Sequence, residues 1–312
     1  MRILYGVVGE GMGHATRSAV VIDHLLARGH EIRVVVSGRA HAFLAERFRG
    51  RPRFALVEIR GLVFSYRGKG VDRSASLRVN LAAAPAGLAR NLRAYRRVAE
   101  DGFRPEAVVS DFESWSHLYG VLHGVPVLSL DNIQALARLR HPREFAGGGR
   151  RALLLARAAV RVKVPGAWHY LVTSFFFPPV ARSRTTLVPP VLRPEVLALR
   201  REPRDHVLVY QTAASDDGLV PSLRRLPHRF TVYGMGRAAV EGNVTLKAFS
   251  GPGFLEDLRS ARAVLAGGGF SLVSEAVHLG VPVLSRPVEH QAEQEMNAFW
   301  LERLDYGARA EI

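Results

Sequence analysis

The sequence predicts an α/β protein built from two doubly wound, Rossmann-like domains facing a cleft. Three observations predict it. Short apolar runs alternate with stretches of helical length, a pattern that repeats on both sides of a proline-rich segment. That segment, Val188-Pro189-Pro190-Val191-Leu192-Arg193-Pro194, packs three prolines into six residues, which neither a helix nor a central strand accepts. Each half carries a glycine cluster directly behind an apolar run, and 312 residues exceed what one core usually serves. The domains are expected over residues 1–192 and 193–312.

In the first half, Arg2–Val8 reads as a strand, and Ala15–Arg28 as a helix that turns Val20, Val21, Leu25 and Leu26 to a sheet. Gly29-His30 ends that helix, and Glu31–Ser37 is the next strand. Leu88–Glu100 reads as a helix, and Glu106–Ser110 and Val125–Leu130 as two more short strands. Past the prolines the alternation restarts with strands His206–Tyr210, Arg229–Tyr233, Ala263–Ala266 and Val281–Leu284. A helix over Ser271–Leu279 separates the last two. Two such domains in tandem place ligands at the carboxyl ends of their strands.

Composition excludes several classes. There is no cysteine, so disulfides and thiolate metal sites are out. The first apolar run is too short for a signal peptide and reads as a strand. The longest uncharged stretch, Val164–Ala181, holds Pro165, His169, Pro178 and Pro179, which suits buried strand and loop better than a lipid-exposed helix. The net charge of +15 is uneven. Residues 1–200 carry 31 Lys and Arg against 14 Asp and Glu, and the remainder 12 against 14. Between Ile133 and Tyr170 eight basic residues face Glu144 alone. This excess is either plain arginine-rich composition or a contact with an anionic membrane, acceptor or nucleic acid.

Two glycine loops carry the chemistry. Gly9-Glu10-Gly11-Met12-Gly13-His14 follows the first strand and opens a helix, whose first amides favour anions. A dinucleotide site would want an acid at the end of the second strand, where Val36-Ser37-Gly38-Arg39 has none, although Arg39 could suit a 2′-phosphate, so an NADP enzyme is disfavoured rather than excluded. Gly267-Gly268-Gly269-Phe270-Ser271 follows the strand Ala263–Ala266, and Ser271 is placed to cap the next helix. Loop and helix start suit a diphosphate, and Glu275, one turn in, suits ribose hydroxyls.

Ser274-Glu275, Gly280-Val281-Pro282, Pro287 and His290-Gln291-Ala292-Glu293-Gln294-Glu295-Met296-Asn297-Ala298 together resemble the donor-site signature of glycosyltransferase family 28. That family includes the N-acetylglucosaminyltransferase that makes lipid II. Gly11-Met12-Gly13-His14 is similar to the glycine-glycine-histidine loop of those enzymes. Val109-Ser110-Asp111-Phe112-Glu113, Leu130-Asp131-Asn132, Thr173-Ser174-Phe175-Phe176 and Val209-Tyr210-Gln211-Thr212 resemble a related, less characterised bacterial and archaeal glycosyltransferase group. The likeness runs along nearly the whole chain and is most specific in its second half.

The resemblance implies a GT-B fold and an inverting transfer from a nucleotide-sugar, UDP- or dTDP-linked. Glu275 would hold the ribose, Gly268, Gly269, Phe270 and Ser271 the diphosphate, and Phe254 and Leu255 the base. Glu293 and Gln294 would read the sugar hydroxyls, and Gln211 and Thr212 would face the phosphates. The lipid II enzyme has two adjacent glutamines where this chain has Glu293-Gln294, so its sugar preference does not carry over. The chain ends soon after a strand, where GT-B proteins usually add helices crossing back to the first domain.

Inverting transfer needs a base for the acceptor hydroxyl and stabilisation of the departing diphosphate. The sequence has no Asp-x-Asp metal clamp, and Asp216-Asp217 reads as a solvent-facing loop. No metal or other cofactor is therefore expected, and the leaving group falls to the amides and helix dipole at Gly268–Ser271. His14, at a helix start, and Asp111, at a strand end, are rival bases. Gly11, Met12, Gly13 and Glu113 complete an acceptor or phosphate loop. Expected partners are a nucleotide-sugar donor and a small or lipid-linked hydroxyl acceptor. The expected location is cytoplasmic, with a peripheral contact on the inner membrane face. Two other readings are weighed. A GT-B sugar-nucleotide epimerase or hydrolase would want a different opening loop. A basic nucleic-acid binder would leave the second half without a purpose and lacks an aromatic platform.

Overall fold

The computed structural model describes residues 1–9, 11–61, 65–67, 70–72, 78–80, 82–145, 149–211 and 218–310. The chain forms two compact units. One comprises Met1–Ser65, Arg73–Pro142 and Leu154–Arg193, and the other Tyr66–Asp72, Arg143–Leu153 and Pro194–Ile312.

The strands of the first unit are β1 (Arg2–Val7), β2 (Glu31–Val36) and β3 (Phe54–Glu58). Past a two-stranded ribbon, β4 (Ser65–Arg67) and β5 (Gly70–Asp72), come β6 (Ala107–Asp111), β7 (Val127–Asp131), β8 (His169–Thr173) and β9 (Thr185–Val188). The seven-stranded sheet runs β3-β2-β1-β6-β7-β8-β9, and its pairings are parallel. The chain winds outward from β1 to β3, returns to β6 and winds outward the other way. Right-handed crossovers then put helices Met12–Ala27 and Gly38–Arg47 on one face, and on the other helices Ala84–Val98, Ser114–Leu122 and Arg150–Lys163, the last belonging to this unit from Leu154 onward. Side-chain alternation agrees. Ile3, Tyr5 and Val7 of β1 and Ile32, Val34 and Val36 of β2 join one buried cluster with Ala15, Ala19, Ile22, Ala40 and Leu44 of the first two helices. Arg33, on the opposite face, donates to the carbonyls of Arg97, Val98 and Glu100.

The second unit repeats the plan with β10 (Val207–Tyr210), β11 (Phe230–Tyr233), β12 (Ala239–Glu241), β13 (Val244–Lys247), β14 (Ala263–Ala266), β15 (Val283–Ser285) and β16 (Gly307–Arg309). Its order is β12-β13-β11-β10-β14-β15-β16, with β12 antiparallel at the edge. Strand order thus reverses between β1 and β6 in one unit and between β10 and β14 in the other. Ligands of open parallel sheets sit at the carboxyl ends of such switch points. Both glycine loops lie there, one behind β1 and one behind β14.

Candidate functional site

In the first unit the helix after β1 starts at Met12, with Gly11 as its cap residue at φ 87° and no side-chain cap. Gly9 is glycine because of packing: a Cβ there would lie 2.4 Å from the Ser37 carbonyl oxygen at the end of β2. Met12 packs against the core. His14 sits in the helix's first turn with 14% of its side chain exposed. Its Nδ1 is 2.7 Å from Oδ1 of Asp111, the last residue of the neighbouring β6, which is fully buried.

Asp111 is held by more than His14. Arg17, one turn further along the helix, donates from Nε to Oδ2 at 3.2 Å and from its terminal nitrogen to Oδ1, and the Ser18 hydroxyl donates to Oδ2 at 2.8 Å. Burial alone would raise the Asp111 pKa, but the Arg17 guanidinium and the imidazole outweigh it, so the carboxyl lies below its usual range. The Arg17 guanidinium also lies 2.9 Å from Nδ1. An ionised carboxylate only accepts, so a hydrogen bond from His14 to Asp111 needs the proton on Nδ1, and the donor-only guanidinium then lies beside that nitrogen without bonding to it. In the neutral ring of that tautomer Nε2 carries the lone pair. Asp111 is fully buried and paired with Arg17, an arrangement that suits a positioning carboxylate better than a free base. Arg17 and Ser18 escaped the sequence reading, although their spacing from His14 along one helix was visible.

Glu113 is corrected in role. Its carboxylate caps helix Ser114–Leu122, accepting from the amides of Trp115 at 2.8 Å and Ser116 at 2.6 Å, and the residue is buried. Burial holds its pKa above normal despite those bonds. It is a structural cap rather than part of a phosphate loop.

Asp131, the last residue of β7, is a second buried acid that the sequence reading did not assign to the site. It accepts from the Gln134 amide at 2.8 Å and the Ser129 hydroxyl at 2.9 Å. Burial, then the negative charge of Asp111, pushes its pKa up to about 6. A raised acid pKa contributes stability that is complete below pH ~4 and is lost as pH rises through about 6. By neutral pH the cost is about 3 kcal/mol. In Asp131→Asn the melting temperature is therefore expected to gain on wild type between pH 4 and 7. Parallel curves over that range would remove Asp131 as a strained acid.

In the second unit the loop after β14 turns at Gly268, with φ +86° and a Cβ position 2.8 Å from Ser285 Oγ and 2.9 Å from the Gln294 carbonyl oxygen. Only glycine fits that turn. The Asn297 amide donates to the Gly268 carbonyl at 3.1 Å, tying the turn to helix Ala292–Arg303. Helix Phe270–His278 begins at Phe270 with Gly269 as cap residue and no side-chain cap. The expected Ser271 cap is thus corrected: Ser271 is already inside the helix. Gly269 is exposed, whereas Phe270 and Glu275 are buried. Gln211, directly behind β10, donates its backbone N–H to the Tyr233 carbonyl at 3.0 Å and stands across the same switch point. Thr212, Asp216 and Asp217 lie outside the described residues.

Three donor-site expectations change on packing grounds. Phe254 and Leu255 are buried, and Phe254 sits among the rings of Tyr210, Tyr233 and Phe249. Phe249, 64% exposed, is the ring of that cluster open to a flat ligand. Gln294 is buried too. It accepts from the Val288 amide at 3.0 Å and donates to Gln291 Oε1 at 2.5 Å, so its carboxamide braces the loop behind β15. Glu293 is partly exposed in the first turn of the same helix.

Two sheets, parallel apart from the β12 edge, each with a glycine turn and helix start at its switch point, are the architecture of a GT-B glycosyltransferase, and the comparisons agree. The chain is similar over 99% of its length to the glycosyltransferase of kitacinnamycin (20% identity, TM-score 0.66, 86% of that chain). It is also similar over 100% of its length to Phytolacca americana UGT2 complexed with UDP-2-fluoro-glucose and pterostilbene (15% identity, TM-score 0.65, 85% of that chain). A family model described as glycosyl transferase family 1 matches residues 1–312, and the chain belongs to that family. An uncharacterised glycosyltransferase of Methanosarcina mazei is 29% identical, covering 98% of this chain and 85% of its own. No helix among the described residues is long and apolar enough to cross a membrane.

Proposed function

We propose that this chain is an inverting glycosyltransferase in which His14 takes the proton of the acceptor hydroxyl and the second unit holds a UDP- or dTDP-sugar. The observation that carries this reading is the His14–Asp111 pair at the switch point of the first unit. The acceptor oxygen attacks the anomeric carbon as its proton passes to His14 Nε2, and the bond from that carbon to the diphosphate oxygen breaks. The imidazolium is balanced by Asp111, which stays ionised. One displacement inverts the anomeric centre.

The diphosphate rests on the Gly268–Ser271 turn and helix start, the ribose on Glu275, and the base against Phe249. This assignment follows the family-28-like signature, adjusted for the burial of Phe254 and Leu255. By the same signature Glu293 reads the sugar hydroxyls, and the acceptor is a small or lipid-linked hydroxyl compound.

A thermal-stabilisation screen of UDP-, dTDP- and GDP-sugars identifies the donor, and calorimetric titration of the corresponding nucleoside diphosphate tests the site. Glu275→Ala is expected to weaken that affinity by roughly 2–4 kcal/mol if two charge-assisted hydrogen bonds are lost. Wild-type affinity in the variant would sink the ribose assignment. Transfer needs no metal in this reading, because the glycine turn and helix dipole meet the leaving group. Activity is expected to survive excess EDTA, and a complete loss restored by Mg²⁺ or Mn²⁺ would reject it.

A further inference from the structure

The three helices on the second face of the first sheet share a peculiarity of sequence. Ala84–Val98, Ser114–Leu122 and Arg150–Lys163 contain no Asp or Glu, yet the first holds Arg90, Arg93, Arg96 and Arg97, and the last five basic residues. The helices of the opposite face carry both signs, with Asp23 in one and Glu46 in the other. The acids beside these helices are few among the described residues: Glu58, 3.0 Å from Arg90, and Glu100 and Asp101, just past the first helix.

The exposed side of the same helices is apolar where charge is absent. Leu88, Leu92 and Tyr95 follow one another at helical spacing and are 63%, 59% and 40% exposed. Leu118 and Leu122 are exposed one turn apart on the next helix. The two helices are joined side by side: Tyr95 packs against Trp115, Tyr119 and His123, and its hydroxyl lies 2.6 Å from His123 Nε2. The third helix adjoins the second through the Ser114 hydroxyl, which donates to the Lys163 carbonyl, and through Lys163 above the Phe112 ring. It adds exposed Leu154, Leu155 and Val162 beside Arg161. Leu153, which the arginine cluster alone would suggest as an apolar partner, is buried, and Arg157 is tied to the Leu136 carbonyl.

We propose that this three-helix face of the first unit docks on an anionic lipid surface. Leucines and valines flanked by arginines are the composition of an interfacial helix, whose apolar side enters the headgroup boundary while guanidinium groups meet lipid phosphates. Charge selects this occupant over two others. A second copy docked face to face would bring Arg93, Arg96 and Arg97 against their own kind, with Glu58 already paired to Arg90. A nucleic acid would find leucine and valine where it needs stacking rings or polar groups. The proposal is independent of the glycosyl-transfer chemistry, since neither His14 nor the glycine turns take part.

The test is co-sedimentation of the full chain with phosphatidylcholine vesicles, with and without 30% phosphatidylserine. Binding is expected to need phosphatidylserine and to weaken as salt rises. The variant Arg93→Gln/Arg96→Gln/Arg97→Gln should reduce partitioning on the order of 100-fold. Leu88→Ser/Leu92→Ser/Leu122→Ser, at exposed positions, should reduce it while leaving the melting temperature near wild type. Equal recovery in the supernatant with both vesicle types at low salt would overturn the proposal. So would a dimer in sedimentation equilibrium that the leucine variant dissolves, or partitioning unchanged in both variants. Nucleoside diphosphate binding, measured alongside, reads the donor site separately.

Discussion

His14→Ala is expected to lower kcat by about 10²–10⁴-fold with nucleoside diphosphate affinity unchanged, once a donor and acceptor are in hand. The magnitude is that of a lost positioned base. The imidazole has the geometry for that role: its Nδ1 is committed to a buried carboxylate 2.7 Å away, which leaves Nε2 to receive a proton. The residue's partial exposure, set against the complete burial of Asp111, makes it the member of the pair that an acceptor can reach. Affinity should hold because the donor is assigned to the other unit. His14→Gln retains a polar side chain of similar reach but takes up no proton, so it should be as slow as the alanine variant. A kcat within a few-fold of wild type in both would place the base elsewhere.

The architecture was legible where period and punctuation agreed. Ala263–Ala266 is a strand with the expected bounds, and strands expected at Glu31–Ser37 and Arg229–Tyr233 differ from the observed ones by a single residue. Apolar runs of this length are buried on both faces of a parallel sheet, so they stand out from their surroundings. The site was legible only in outline. His14 and Asp111 were singled out separately, 97 positions apart, and no sequence pattern says that β1 and β6 are neighbours. Once they are, the rivalry between the two bases becomes a partnership. Ser271 and Glu113 exchanged expectations for a related reason. A serine or a glutamate near a helix start caps only if the helix begins just behind it: the observed starts, at Phe270 and Ser114, put Ser271 inside one helix and make Glu113 the cap of the other. Gln294 and Phe254 were assigned to the ligand on motif position alone, whereas loop bracing and ring packing have claimed their side chains. Arg17 was hidden among many arginines, and its burial against Asp111 shows only in the structure.

Asp111 is expected to show two different losses according to how it is replaced. Asp111→Ala leaves the Arg17 guanidinium buried without its counter-charge, a situation that costs about 3–5 kcal/mol. That is a large share of a domain's usual 5–15 kcal/mol, so a marked drop in melting temperature follows. Asp111→Asn keeps the volume but not the hydrogen-bond arithmetic. The carboxylate accepts from His14, twice from Arg17 and from Ser18, whereas a carboxamide has one accepting oxygen and must turn its NH₂ toward remaining donors. If the oxygen goes to Arg17, the NH₂ faces His14 and draws the imidazole proton to Nε2, which disables it as a base. Loss of the required tautomer in such a pair lowers kcat on the order of 10⁴-fold. The pH dependence of stability should change as well. In wild type the Asp111 carboxyl lies below its usual range, so the stability it contributes is complete above the unfolded carboxylate value. That stability is lost as pH falls through the folded one. Asp111→Asn should lack that acid-side decline. Ring-nitrogen chemical shifts of His14 report the tautomer directly and separate a chemical loss from a merely structural one. A variant that turns over normally, keeps the proton on Nδ1 and declines in acid like wild type would leave Asp111 as a packing residue and His14 without its partner.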